Sequence, residues 1–456
     1  MKTIDNKTGL ATSFLLGTLL LGSSARAQEL FTKPAWLTDL SLGVSEGYDD
    51  NLLGVSGNGL QPKGSWFTTV SPKIAFNLAP LTGPQSPFQS LSLSYAPDLV
   101  TYHADPAENY DAHRVGGEIK GATGAFSFSA NDSFLYNDGS RIAPTYALNQ
   151  LSGAAGNQFD KYRNQFANNF PRERRDQIQD REATRLQYDI GPAFVRASSD
   201  LILYNLDTYW HNTGKAPYLG YQNYVDRSDV KGGTDFGYNI VTNVALTVGY
   251  RYGSQYQQRF PSTISSDSHY SSGTYQQALF GAEGKPFRWF DAYITAGPDF
   301  RNYNPNAPVP DLHPVRYYGK AGFLVTLSTN QDITFAYKNW SWVSSSGNVP
   351  EMDSSYIVTY HWKAASRLDL VLAAEILNVD YTIGDDHLGT APSYRIDRMY
   401  ELSPGLNFAI TPHLSASLNY TFDAGNNALS SIPASSHPAY KEFTRDLVML
   451  GLNYKF

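Results

Sequence analysis

The sequence predicts an all-β chain: a transmembrane antiparallel up-and-down β-barrel of about eighteen strands, with sixteen possible if two pairs are miscounted. Three observations carry this. Apolar and polar residues alternate with period two almost throughout. The connections between the alternating segments are short and long in turn. The last segment closes on a terminal Phe456 that belongs to its apolar set.

The chain begins with a segment that does not belong to the barrel. Lys2 and Lys7 precede the apolar run "GLATSFLLGTLLLG", and "ARA" at 25–27 is a small-x-small cleavage motif. Residues 1–27 therefore read as a signal peptide for export, with the barrel domain spanning 28–456. Too few residues separate Gln28 from the first strand to build a plug domain. Cysteine is absent, which excludes disulfides, thiolate metal sites and Cys nucleophiles. The net charge of -7 argues against nucleic acid as a partner. After residue 28 no apolar run is long enough for a spanning helix.

The alternation is read strand by strand. In "VALTVGYRY" Val244, Leu246, Val248, Tyr250 and Tyr252 share one face, opposite Ala245, Thr247, Gly249 and Arg251. "LDLVLAAEI" at 368–376 and "LSASLNYTF" at 414–422 repeat the pattern. Short turns are expected near 121–124, 198–200, 240–243, 286–289, 328–332, 364–367 and 410–413, with a longer one at 79–87. Long polar stretches lie at 49–65, 104–111, 138–182, 211–224, 256–272, 302–314, 345–354, 381–393 and 423–442. This alternation matches tight inner turns and longer outer loops. The segment "ERRDQIQDREATRL" at 173–186 is compatible with a short polar helix in a loop.

Closure follows from solvation. In lipid an unpaired backbone group costs several kcal/mol, so a spanning sheet has to close on itself. The mean hydropathy of -0.37 is then no contradiction, because only alternate strand residues meet lipid. Prolines inside alternating segments (Pro72, Pro97, Pro192, Pro298 and Pro404) point with the apolar set. Lacking an N–H, each is expected to mark a bulge or bend. Trp66, Trp210, Trp289, Trp340, Trp342 and Trp362 read as interface girdles.

The terminal segment "RDLVMLGLNYKF" places Val448, Leu450, Leu452, Tyr454 and Phe456 on one face. Gly451, Tyr454 and Phe456 resemble the C-terminal signal that bacterial barrel-assembly machinery reads. Met449 stands where that signal usually has a polar residue. With "GYDDNLL" at 47–53, "GSWFTTVSPKIAF" at 64–76 and "LSPGLNF" at 402–408, the chain resembles the β-barrel porin-2 family of outer-membrane proteins. The resemblance implies a cell outer-membrane location, contact with lipid and lipopolysaccharide, and passive diffusion of small hydrophilic solutes through the barrel. A homotrimer is compatible with this class.

Inward parity then collects the candidate pore-lining residues: Lys73, Arg114, Glu118, Arg227, Asp229, Lys231, Arg251, Arg316, Lys320, Glu375, Arg395, Asp397 and Glu401. Their mixed signs suit either a self-satisfied wall or a constriction that orients small polar solutes. The 138–182 stretch either folds inward to narrow the pore or faces outward. A barrel plugged by loops, serving adhesion or envelope structure, is the competing reading.

Asp49, Asp50 and Asn51 begin the first outer loop. Their simplest role is to end the strand, since Asp and Asn bond to nearby backbone. Their clustered oxygens also suit a Ca²⁺ ion in an external loop, the single cofactor the sequence raises. An enzyme is the least favoured class. Neither G-x-S-x-G nor H-E-x-x-H occurs, and the Asp–His pairs His103/Asp105 and Asp385–Asp386/His387 fall in outer loops.

Overall fold

A computed structural model describes residues 33–52, 54, 62–141, 174–210, 224–261, 270–345, 350–381, 395–430 and 443–456. These form eighteen strands: β1 (Leu37–Asp49), β2 (Ser65–Asn77), β3 (Phe88–Tyr102), β4 (Tyr110–Thr123), β5 (Phe126–Asp138), β6 (Gln177–Ile190), β7 (Ala193–Leu206), β8 (Arg227–Val241) and β9 (Val244–Gln257). The second half comprises β10 (Gly273–Phe287), β11 (Phe290–Tyr303), β12 (Val315–Ser328), β13 (Gln331–Val343), β14 (Pro350–Ala365), β15 (Leu368–Asp380), β16 (Arg395–Ala409), β17 (Leu414–Ser430) and β18 (Phe443–Lys455). Each pairs antiparallel with its sequence neighbours, and β18 closes on β1 with Tyr48 opposite Val448 and Leu42 opposite Tyr454. The result is a closed eighteen-stranded barrel with both described chain ends on the short-turn side.

The alternation explains the two surfaces. On β9 Leu246, Val248, Tyr250 and Tyr252 are exposed on the outside, and Val448, Leu450 and Leu452 are exposed on β18. Such a belt is stable against lipid, not water. Aromatics frame it at both ends. On the inner side Phe287 stacks on Trp289 at 5.4 Å, Phe323 on Phe335 at 5.0 Å, and Tyr454 meets Phe456 edge-on at 4.9 Å. On the outer side Tyr48 lies 5.4 Å from Trp66. Trp362 belongs to the exposed set, but Trp340 and Trp342 do not: both are buried inside the barrel.

Two expected local features differ. The β6–β7 turn is at Gly191–Pro192, not at 198–200, which lies within β7. Gly191 sits at φ 62°, a left-handed value that a tight hairpin requires and a Cβ disfavours. Gly124 does the same for β4–β5 at φ 57°. Moreover, residues 177–186 of the expected polar helix form strand β6, with Leu186, Tyr188 and Ile190 exposed to lipid.

The prolines do not shift the register. Val70 faces Leu99 and Ile74 faces Tyr95 on either side of Pro72 and Pro97, with the same offset. Pro298 faces Tyr317 and Pro404 faces Leu372 in unbroken ladders. A missing N–H removes one rung without inserting a residue, so the expected bulges are absent. Pro192 lies in the turn.

Candidate functional site: the barrel lumen

Five strands aim cations into one luminal cavity. Lys231 (β8), Arg251 (β9), Lys320 (β12) and Lys338 (β13), together with Arg181 (β6), line a space of about 180 Å³. Asp200 faces it from β7, 3.5 Å from Lys231 Nζ. Arg251 Nη2 donates to Asp235 at 2.8 Å. Among the described residues Lys320 and Lys338 have no carboxylate at ion-pair distance; instead, their ammonium groups lie over Tyr293 at 5.5 Å and Trp340 at 4.1 Å. Tyr293 is set there by Gly322, where a Cβ would come within 2.6 Å of the ring. Leu279, Tyr318 and Ile202 complete an apolar side of the same cavity.

The other arc of the lumen is acidic. Glu375 on β15 lies opposite Glu401 on β16, and Glu401 opposite Asp423 on β17. All three are buried, as is Asp397. Ser355 donates to Glu375 at 3.0 Å and Ser403 to Glu401 at 2.8 Å. Lys320 and Lys338 on β12 and β13 therefore stand apart from the carboxylates gathered on β15–β17, whereas the other luminal cations, such as Lys231 and Arg251, lie beside acids of their own wall.

The remaining pore-lining candidates are placed as follows. Lys73 pairs with Asp39 at 3.1 Å near the inner mouth. Arg114 bonds Asp98 on β3, and Glu118 is half-buried further down β4. Asp229 accepts from the Tyr275 hydroxyl at 2.7 Å. Arg316 is half-buried on β12. Arg395 begins β16, and its side chain lies outside the described residues.

Arg227 has a different role. Its Nη1 donates to the Val343 carbonyl at 2.9 Å and to Glu351 at 3.0 Å, across the lumen from its own strand. The residues it holds belong to a strap. Beyond the pair Gly319–Asn339, β13 no longer pairs with β12. Residues 340–345 turn into the lumen and cross towards β8 and β9. Gln255 and Arg301 each donate to the Ser341 carbonyl at 3.0 Å, Gln257 donates to Ser344 O at 2.7 Å, and the Val225 N–H donates to Ser345 O at 2.8 Å. Ser341 and Val343 have lipid-facing parity yet are 1% and 0% exposed. Trp340 and Trp342 pack beside the strap on Leu377, Val379, Tyr381 and Met399.

A second apolar cluster lines the far wall: Phe67, Val100, Tyr102, Tyr110, Leu447 and Met449 among others. The outer half of the lumen is therefore substantially packed with apolar side chains. Met449, which departs from the usual assembly-signal pattern, points into this cluster. Gly451 faces inward on the same strand, and the Phe456 N–H donates to Leu40 O at 2.9 Å.

The acids of the first loop knit the barrel seam. Asp49 ends β1 fully buried. Its Oδ1 accepts from Arg445 Nε at 3.1 Å and its Oδ2 from Arg445 Nη2 at 2.6 Å. The Asn51 N–H also reaches Asp49 Oδ1 at 3.1 Å, an Asx-turn. Asp50 accepts from the Asp446 N–H at 2.7 Å. Burial raises the Asp50 pKa, and this outweighs that hydrogen bond. At the outer rim Asp105 pairs with Lys63, and His103 Nε2 meets Thr68 Oγ1 at 2.9 Å. Residues 385–387 lie outside the described residues.

Sequence reasoning missed three lining groups. Arg181 fell in a stretch read as loop, and Asp200 in a stretch read as turn. The Gly191–Pro192 dipeptide was the available turn signal. Lys338 alternates with Phe335 and Tyr337 and was legible by parity.

Fold and lumen together define a closed membrane barrel with a narrowed, charged interior. No family model and no curated protein matches the chain. Solved structures similar over nearly all of it include Acinetobacter baumannii OccAB3, at 9% identity and TM-score 0.43, covering 92% of this chain and 99% of that one. Pseudomonas aeruginosa OccK2 (OpdF) in complex with glucuronate matches at 10% identity and TM-score 0.41, covering 93% and 100%. The FrpB iron transporter from Neisseria meningitidis matches at 10% identity and TM-score 0.40, covering 92% and 82%.

Proposed function

We propose that this chain is a narrow outer-membrane channel of the porin-2 type, exported by its 1–27 signal peptide, that passes small hydrophilic solutes and favours anions. The luminal cavity carries this reading. Five cationic side chains converge on about 180 Å³, two of them without an acidic partner among the described residues. That volume is below the roughly 300–1,000 Å³ of drug-sized sites, so the solute is small. Opposed acidic residues on β15–β17 add orientation rather than net affinity.

The strap favours a second reading, a barrel closed by its own chain and used for adhesion or envelope structure. Planar-bilayer recording of the refolded chain decides between them. Stepwise conductance supports the channel, whereas a silent bilayer with protein shown to be folded by its heat-dependent gel shift supports the closed barrel.

A further inference from the structure

Where β13 enters the lumen it leaves a parted seam in the wall. Val315–Tyr318 of β12 pair with β11 on one side, but among the described residues no strand pairs with them on the other. The carbonyl of Tyr317, orphaned by the departure of β13, accepts instead from Asn339 Nδ2 at 2.7 Å. Asn339 Oδ1 in turn accepts from Ser354 Oγ at 2.7 Å, so one side chain caps the branch point. A parted edge at membrane depth is tolerated where it borders a cavity or protein, not bare lipid. Val315 and Tyr317 on this edge are 52% and 73% exposed. Tyr317 shares its outward face with Phe300 of β11, two rows from the outer end of the wall.

What lies behind the seam is apolar. Tyr318, Trp340 and Leu279 belong to one buried cluster on the luminal side. Leu279 and Tyr318 also line the basic cavity, beside Lys320 and Lys338. The path from lipid to cavity thus runs from exposed aromatic edge, through buried apolar side chains, to unpaired ammonium groups. Those surfaces match a molecule with an apolar body and one anionic head.

We propose that the β12–β13 parting is a lateral portal by which amphipathic monoanions, such as alkyl or aryl carboxylates dissolved in the outer leaflet, reach the basic cavity. The destination rests on the cavity reading above; the portal itself rests on the strand pairing. The strap has a purpose in this scheme. By holding Ser341 and Val343 inside, Gln255, Arg301 and Arg227 keep the seam parted and narrow the direct aqueous mouth.

The chain has no native cysteine, so single thiols report cleanly. In proteoliposomes, Leu279→Cys is labelled with N-dodecylmaleimide delivered in the bilayer and compared with Thr69→Cys, a luminal position on β2 away from the seam. The alkyl chain concentrates the reagent in lipid, so a portal makes the Leu279 thiol react on the order of tenfold faster. Equal slow rates overturn the portal. A second arm uses Tyr317→Cys/Ser341→Cys, residues that would face each other if the Gly319–Asn339 register continued. Once the crosslink is verified, decanoate uptake should fall about tenfold and recover with dithiothreitol, while chloride conductance persists. Uptake unchanged by a verified crosslink overturns the proposal. If the crosslink does not form, the labelling ratio decides alone. Should Lys320→Gln/Lys338→Gln leave ion selectivity unaltered while Leu279→Cys still labels fast, the cavity reading fails and the portal stands.

Discussion

Replacing Arg227 by alanine should release the luminal strap. Arg227 is buried between the rings of Tyr204 and Trp342, with its guanidinium carbon 5.1 and 5.0 Å from their centroids. It donates to Val343 O and to Glu351, both on the β13–β14 hairpin that carries the strap. Glu351 is itself only 4% exposed, so the substitution strands a buried carboxylate. Breaking such a pair costs about 3–5 kcal/mol. At ~1.4 kcal/mol per decade, the docked-to-released ratio falls by roughly two to three and a half orders of magnitude. In planar bilayers Arg227→Ala should show larger or longer-lived conductance steps than the parent. Arg227→Met/Glu351→Leu removes both charges while keeping bulk, and should return conductance close to the parent. A folded Arg227→Ala barrel with unaltered conductance would refute the idea that the strap narrows the pore.

Four further outcomes follow from the same geometry. Asp49→Ala leaves Arg445, 0% exposed, without its main partner across the β1–β18 seam; unfolding in urea should show a loss of about 3–5 kcal/mol, and a loss below about 1 would deny the seam role. Calcium titration of the parent and of Asp50→Ala should give superimposable melting curves; a calcium-dependent rise present only in the parent would establish the ion. Glu108, in the β3–β4 connection, has its pKa raised above 4.5 mainly by burial, against the pull of Arg174. The native state therefore holds its proton more tightly, and its contribution is fully present below that ordinary value and lost as pH rises through the raised one. The parent should gain thermal stability relative to Glu108→Gln as pH falls from neutrality towards 4.5, and parallel pH profiles would refute this. Asp132 lies on the lipid-facing side of β5, opposite Glu182 and close to Asp180 on β6. Carboxylates there are unfavourable in lipid, so Asp132→Ala should stabilise the barrel by on the order of 1 kcal/mol. Destabilisation would instead mean that another protein covers this face.

The barrel was legible because its physics is local. Period-two alternation, two-residue turns and the closing Phe456 each follow from one strand or one hairpin. Where a local signal misled, the site suffered with it. Polar Ser198–Asp200 resembled a turn, which shifted the β6–β7 hairpin and hid Arg181 and Asp200 from the luminal set. The strap was not legible at all. Parity assigns Ser341 and Val343 to lipid, and only donors from β8, β9 and β11, distant in sequence, draw that backbone inward. The charges along the chain alternate in sign, as at Arg227, Asp229 and Lys231. Which of these charges find a partner across the lumen, and that Lys320 and Lys338 do not find a carboxylate among the described residues, depends on which strands face each other, and parity does not encode that. Asp49 showed the same limit: its neighbours suggested a loop ligand, while its partner Arg445 lies at the other end of the chain.

The most direct test of the channel reading is the reversal potential of single channels under a potassium chloride gradient. The basic cavity should give the parent a reversal potential on the chloride side of zero, and Lys320→Gln/Lys338→Gln should move it towards the potassium side. A parent selective for potassium, or a double variant indistinguishable from it, would contradict the claim that this cavity sets what passes.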